Sequence, residues 1–584
     1  REFLVENVSR TGGHLSSNLG TVELTVALHR VFDSPQDEFI WDVGHQCYTH
    51  KILTGRAAGF AALRQQGGLS GFPCPVESEH DIFVAGHGNT SISAAIGLAQ
   101  AKRIRGEKGK VIAVVGDGAF TGGMMYEGMN NIRTLRNLIV ILNDNKMSIS
   151  KNIGSMAQYL TKLRTNPGYF KAKRDVQSAL DAVPLVGVPI RQGLQAAKSA
   201  VRRMMYHSTM FEEMGFQYAG PVDGHDVFGL CELFSAFRDE QVAPLFLHVC
   251  TQKGKGYPPA EENPGEFHGV SAFDLKAKLD PDVSKEDSFS TVFGQKLAEL
   301  GEKDTALCAV TAAMKYGTGL QYFYKRHKNR FFDVGMAEQH AVTFGAGLAR
   351  GGLRPVVAIY STFLQRSYDQ LIHDVHLQGL DVLFAIDRAG LVPGDGETHQ
   401  GIYDAAYLSQ LEHMRVVSPA NYAELRFWLE KALYQWSGPR AIRYPRGKEE
   451  TALAALGCTG KDFDVYRAAK PADAVIVCYS GETAQALRAA ELAGQQGLWA
   501  DVCKMCVIDA LAGYRTILFA EEGIAAGGIG EHLCAALLCR GWHGHWRHVA
   551  VPNTGIDHAT VPQLRQALGL DALGLLQVLK EECL

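Results

Sequence analysis

The sequence predicts an α/β protein of three parallel-sheet domains, on three observations. Residues 111–115 and 138–142 are short apolar runs rich in Val and Ile, separated by a helix-compatible stretch over 122–132, as in a βαβ unit. The same alternation returns with strands expected at 306–311, 331–334, 356–360 and 382–386. It returns a third time at 474–478, 500–503 and 516–520. The expected domains are 1–257, 288–447 and 473–584, joined by linkers at 258–287 and 448–472. A chain of 584 residues has room for about three or four domains.

In chain order, residues 1–33 read as helix, loop and helix. The small, polar, Gly-rich loop 11–20 presents His14, Ser16 and Ser17. Residues 39–43 form an expected strand ending in Gly44-His45-Gln46, and 83–85 another ending in Gly86-His87-Gly88. Histidine serves as acid, base or phosphate donor near neutral pH. One strand-end His is an ordinary satisfied side chain; finding the Gly-His pair twice favours function. Residues 90–101 are small and apolar, a helix packed closely on the sheet.

Asp117, in Gly116-Asp117-Gly118, and Asn145, in Asn143-Asp144-Asn145, then fall at neighbouring strand ends, where parallel sheets bind ligands. Both offer hard oxygen donors, which suit Mg²⁺ shared with phosphate oxygens. The flanking glycines let backbone N–H groups approach a diphosphate. Gly-Asp-Gly alone is a common turn; with an Asn at the next strand end the signal is far more specific.

Residues 154–210, irregular in pattern, with two prolines within Val-Pro-Leu-Val-Gly-Val-Pro-Ile and several basic side chains, read as a long mobile excursion, either an ordinary surface subdomain or a lid. Residues 216–226, FQYAGPVDGHD, read as a loop of turn formers. A strand at 245–249 leads into a polar tail holding Lys253, equally suited to phosphate or to solvent. His268, in the linker, is a third possible active-site histidine.

In the second domain Glu338 opens a helix, a position that the helix dipole alone favours. The strand at 356–360 runs through Tyr360 into Phe363 and a helix bearing Arg366 and Asp369, which can pair with each other. The strand at 382–386 ends in Asp387-Arg388. The loop 394–401 carries Asp395 and His399, and 441–447 carries Arg443 and Arg446. The third domain has no metal motif or cofactor loop, so a structural or dimer-forming role is expected.

The net charge of −4 gives no basic field for nucleic acid. No stretch approaches the ~20 apolar residues of a membrane span. Twelve scattered cysteines point to a reducing cytoplasm. The pair Cys503 and Cys506 reads as reduced, partly buried thiols before it reads as a redox or zinc site. The sequence opens at Arg1, so an upstream targeting segment stays open.

The ordered blocks GGHLSSNLG, WDVGHQCYTHKILTGR, GDG with LNDN, DGHD, AEQHAVTFGAGLA, YSTFLQRSYDQ, DRAG, THQG and RYPRG resemble the 1-deoxy-D-xylulose-5-phosphate (DXP) synthase family. These are thiamine diphosphate (ThDP) enzymes of the transketolase type. The resemblance spans nearly all of 1–447 and, more loosely, the third domain. It implies decarboxylation of pyruvate and transfer of the two-carbon remnant to D-glyceraldehyde 3-phosphate. The products are CO₂ and DXP, a precursor of isoprenoids, thiamine and pyridoxal. The implied cofactors are ThDP and Mg²⁺, and the implied assembly is a homodimer.

By the same resemblance, Asp117, the Asn145 side chain and the Met147 carbonyl hold the metal. His45, Gly86, His87, Gly88, Gly118, Ala119 and Lys253 line the cofactor's diphosphate and thiazolium. Glu338 bonds the pyrimidine N1′, and Phe363 stacks on that ring. His14, His399, His45 and His268 handle protons. Tyr360, Arg366, Arg388, Asp395, His399 and Arg443 orient the substrates. Two departures stand out: Gly88 where the family pattern has Ser, and Asn553-Thr-Gly-Ile-Asp-His-Ala in the third domain. The competing readings are another transketolase-type enzyme transferring ketol groups between sugars, and a non-catalytic paralogue. Retention of Asp117, Asn145, Glu338 and the histidines speaks against the second.

Overall fold

The computed structural model describes all residues except 133–134, 146–154, 166–208, 276–286, 473, 506–515, 553–555 and 584. Met147, Cys506, the changed segment at 553–555 and most of the 154–210 excursion therefore lie outside the described residues. The chain forms two compact units, one of residues 1–5, 14–57 and 72–269, the other of 6–13, 58–71 and 270–584.

The first unit holds a five-stranded parallel sheet of β1 (Glu38–Trp41), β2 (Val111–Gly116), β3 (Leu138–Asp144), β4 (Gln217–Asp223) and β5 (Leu245–Cys250). Its order is β1-β2-β3-β5-β4. The Val/Ile runs of β2 and β3 are buried along their length, as expected of strands covered on both faces. Gly116 pairs with Asn143 and Asp144 with Cys250, so Asp117 and Asp144 emerge at the same level of the sheet. The helix Ser91–Arg105 packs behind β2, as its small residues predict.

Three expectations differ from what is found. Residues 83–85 are not a strand. Ile82, Phe83 and Val84 are 37, 43 and 44 % exposed, and adjacent Asp81 is tied to Arg56, His50 and the Cys74 N–H outside the sheet. The turn-rich 216–226 segment contains β4, an edge strand. Pro221, which has no N–H to donate, is tolerated at an edge, and the pairing register shifts between Ala219 and Val222. Residues 258–269 are packed chain: Pro258–Glu262 is helical, Phe267 is buried, and its carbonyl accepts from the Ser16 N–H.

The second unit holds two sheets. One is six-stranded and wholly parallel, with β6 (Leu307–Thr311), β7 (Phe331–Asp333), β8 (Arg354–Tyr360), β9 (Leu383–Asp387), β10 (Arg415–Val417) and β11 (Arg440–Arg443) in the order β10-β11-β9-β8-β6-β7. The other comprises β12 (Phe463–Tyr466), β13 (Ala474–Cys478), β14 (Ala500–Met505), β15 (Thr516–Ile524) and β16 (His545–Val551), in the order β12-β14-β13-β15-β16. β12 is antiparallel to β14 and lies in a stretch read from sequence as linker. The fold class is thus three parallel-dominated α/β sheets. Leu391 and Ile402, from loops of the six-stranded sheet, and Ala406, from the helix Asp404–Ser409, are buried in the core of the third. No described helix is long and apolar enough to cross a membrane.

Candidate active site

In the first unit Asp117 follows directly on β2. Its Oδ1 accepts from the Gly118 N–H at 3.0 Å, while its Oδ2 is buried without a hydrogen-bond partner. Burial drives the Asp117 carboxyl above its usual range, and the neighbouring Asp144 adds to the rise. Lys253, expected at the surface or on phosphate, is buried beside them, and desolvation pulls its ammonium down. Asp144 is bonded to His248 Nε2 at 2.9 Å. Two buried carboxylates therefore face one buried amine. Asn145 is half-buried just past the end of β3. Gly86 and Gly88 are buried and His87 is half-buried in an irregular segment. Ala119 is buried at the start of a short 3₁₀ turn, and the Asn89 amide donates to its carbonyl.

His14, His45 and His268 form a cluster, with ring centroids 5.4 Å (His14–His45), 5.7 Å (His14–His268) and 5.0 Å (His45–His268) apart. Ser17 Oγ lies 3.1 Å from His45 Nε2 and 3.4 Å from His268 Nδ1. Burial first, then the charges of Lys253 and the other two rings, holds His268 far below the usual histidine range, so it is neutral. His45 and His268, 223 positions apart in sequence, thus share one hydroxyl, and the His14 ring packs against both.

In the second unit Glu338 opens the helix Glu338–Arg350 and is buried. Its Oε2 accepts from Arg366 Nη1, so Arg366 pairs with Glu338 and not with Asp369. Burial raises the Glu338 carboxyl, and Arg366 partly offsets that. Phe363 follows β8, with its ring centroid 5.9 Å from Tyr360 and 5.5 Å from His399. Arg388 lies 3.8 Å over the Tyr360 ring, a cation–π contact. Asp395 is ion-paired to Arg64 at 2.6 Å.

Arg443 departs from its expected role. It is 2 % exposed and forked onto buried Asp404, with Nε to Oδ2 at 2.7 Å and Nη2 to Oδ1 at 3.2 Å. As the last residue of β11 it points into the core, and its donors are committed. The neighbour of Arg388 is Arg446, three residues on and exposed, whose guanidinium is pulled down first by the Arg388 charge.

Sequence reasoning also missed Asp144 and Arg64. Asp144 stands inside the LNDN motif, and strand register could have flagged it. Arg64 sits in an unremarked loop, and no local signal marks it.

Residues 1–251 match the family described as 1-deoxy-D-xylulose-5-phosphate synthase, 285–450 the transketolase pyrimidine binding domain and 465–574 the transketolase C-terminal domain. The DXP synthase of Clostridium kluyveri is 46% identical over 546 residues, covering 91% of this chain and 86% of that one. The chain belongs to the 1-deoxy-D-xylulose-5-phosphate synthase family. The family member from Natranaerobius thermophilus is 52% identical over 77% of this chain and 71% of its own. DXP synthase 1 of Geobacter sulfurreducens is 45% identical over 98% and 92%. The likeness to DXP synthases thus extends across all three sheets of this family member, including the third, whose motifs are the weakest.

Proposed function

We propose that this chain condenses pyruvate with D-glyceraldehyde 3-phosphate, releasing CO₂ and forming 1-deoxy-D-xylulose 5-phosphate, with ThDP and Mg²⁺ as cofactors. It is a transketolase-type transferase at the entry to isoprenoid synthesis. The observation that carries the cofactor reading is the Asp117, Asp144 and Lys253 constellation. Two buried carboxylates against one amine, with Asp117 Oδ2 unpartnered, lack positive charge. A hard divalent cation among oxygen donors supplies it.

Asp117 and Asn145, with the Met147 carbonyl, hold the ion. His45, Gly86, His87, Gly88, Gly118, Ala119 and Lys253 receive the diphosphate. Bound ThDP supplies the carbon nucleophile and the electron sink for the pair released with CO₂.

The side chains bind, orient and move protons. Glu338, held by Arg366, offers its carboxyl to the pyrimidine N1′, and Phe363 stacks on the ring. Neutral His268 accepts or returns a proton through Ser17 and His45, with His14 alongside, and His399 does so beside Phe363. Arg388 and Arg446 meet the acceptor's phosphate dianion, a pairing suited to arginine forks. Asp395, oriented by Arg64, accepts from an acceptor hydroxyl.

The domains are centred on 1–257, 288–447 and 473–584, with 258–269 packed onto the first and β12 (Phe463–Tyr466) completing the third. The enzyme works as a homodimer in the cytoplasm. The test is incubation of purified protein with pyruvate and D-glyceraldehyde 3-phosphate under Mg²⁺ and ThDP. Formation of DXP with stoichiometric CO₂ is expected; ketol transfer between sugar phosphates without CO₂ overturns the assignment.

A further inference from the structure

The third sheet contains none of the residues assigned to cofactor or substrate, yet it grips the loop that bears Arg388. Glu522, on β15, accepts the Leu391 N–H through Oε2 at 3.1 Å. Its Oε1 accepts from Arg565 Nε at 2.7 Å, and Arg565 reaches Glu450 at 3.1 Å. Glu522 is thus fixed from behind while it fixes the loop in front. Two residues on, the Ile524 N–H donates to the Ile402 carbonyl at 3.2 Å.

The loop segments at 388–392 and 400–402 are themselves latched. Gly390 and Gly401 exchange both backbone bonds, at 2.7 and 2.9 Å. Gln400 bonds both the N–H and the carbonyl of Val392, at 2.7 and 3.0 Å. Gly390 has φ +87°, and Glu522 occupies the space a Cβ would need. Leu391 and Ile402 are buried in the third-sheet core. Arg388 and His399 therefore stand on a loop pair clamped by β15. Arg388 itself is held at a φ of 57°, a left-handed conformation that bulky side chains adopt only under constraint from their surroundings.

We infer that Glu522 is a positioning residue: through Leu391 it sets the loop so that Arg388 meets the phosphate of the acceptor substrate. The inference rests on the acceptor subsite proposed above. It assigns the third domain a part in acceptor selection beyond a structural role.

The experiment compares wild type, Glu522→Ala, Glu522→Gln and Arg388→Ala in the full enzyme. Each is assayed with D-glyceraldehyde 3-phosphate and with phosphate-free D-glyceraldehyde. Amide hydrogen exchange is followed across residues 388–402. Glu522→Ala is expected to raise the KM for the phosphorylated acceptor about tenfold. The KM for pyruvate and kcat/KM for the phosphate-free acceptor stay within about twofold of wild type. Exchange across 388–402 rises. Glu522→Gln keeps an oxygen for the Leu391 N–H and restores most of the loss.

Unchanged exchange in folded Glu522→Ala overturns the inference whatever the kinetics. So does an equal loss with both acceptors, or a loss that Glu522→Gln does not reduce. An unchanged acceptor KM in Arg388→Ala, with exchange raised in Glu522→Ala, instead overturns the subsite reading and leaves the clamp standing.

Discussion

Arg366 donates to Glu338 across 28 residues of chain, and both side chains are largely withdrawn from water. Burial raises the Glu338 carboxyl above the usual range, and the guanidinium pulls it back toward ionisation. Glu338→Ala is expected to cut turnover by at least about 10²-fold while ThDP still binds. Arg366→Ala removes the opposing charge, so the Glu338 carboxyl rises further. The acid limb of the kcat profile then moves to higher pH. Profiles under saturating ThDP and Mg²⁺ check this, and a limb that stays in place contradicts the coupling.

The two arginines of the RYPRG segment are expected to behave oppositely. Arg443→Ala leaves Asp404 buried without its forked partner, a loss of about 3–5 kcal/mol. Its signature is a lowered Tm with both substrates affected alike. Arg446 is exposed beside Arg388, so Arg446→Ala is expected to raise the KM for D-glyceraldehyde 3-phosphate about tenfold at unchanged Tm. Calorimetry with steady-state kinetics separates the two. A stable Arg443→Ala with only an acceptor defect would return the phosphate role to Arg443.

The contrast shows what the sequence could convey. Continuous Val/Ile runs identify buried parallel strands, so β2, β3, β5, β8, β9 and β13 to β15 were legible, and with them the positions of Asp117 and Glu338; β12 and β16, the two edge strands of the third sheet, were not. Residues 83–85 are also apolar, but Phe83 and Val84 are exposed, next to an Asp81 anchored to Arg56 and His50. β4 was hidden because an edge strand tolerates Pro and Gly that a central strand would not. Which of Arg443 and Arg446 faces the core depends on where β11 stops, a boundary local sequence does not mark. The His14, His45 and His268 cluster and the Arg64–Asp395 pair join residues 254 and 331 positions apart, a closeness only the tertiary fold creates.

Asp117 is expected to trade stability for function. Its carboxyl is raised by burial, so ionising it costs the cofactor-free protein stability as pH rises above the ordinary carboxylate range. Asp117→Asn leaves one carboxylate, Asp144, against Lys253. It is expected to raise the Tm of metal-free, ThDP-free protein at pH 8 by about 2–4 °C. The same change abolishes Mg²⁺-dependent ThDP binding and activity. In wild type, chelation by EDTA removes activity and added Mg²⁺ restores it. Differential scanning calorimetry with and without both cofactors gives the stability sign. A lower Tm in the cofactor-free variant, or activity indifferent to EDTA, contradicts the electrostatic account.

The histidine-rich interior of the first unit sets its acid limit. His29 is pushed down to about 3, first by desolvation and then by the charges of His50 and His80, and burial lowers His50 as well. His29 Nε2 lies 2.8 Å from His50 Nδ1, whose ring reaches Asp81 at 3.0 Å. A histidine depressed in the folded state binds its proton more readily when unfolded. Its contribution is therefore complete above pH ~6.5 and is lost as pH falls toward its folded value. For His29 that window runs from about 6.5 down to about 3, and the loss by pH 5 is roughly 2 kcal/mol (about 1.36 kcal/mol per unit over ~1.5 units). Substituting His29→Gln, which does not titrate, is expected to flatten the fall of denaturant midpoint between pH 6.5 and 5 while lowering stability modestly at pH 8. Urea titrations of both proteins across that range check it. Parallel curves would mean that His29 carries its proton in the folded protein and that the His29–His50–Asp81 chain is charged throughout.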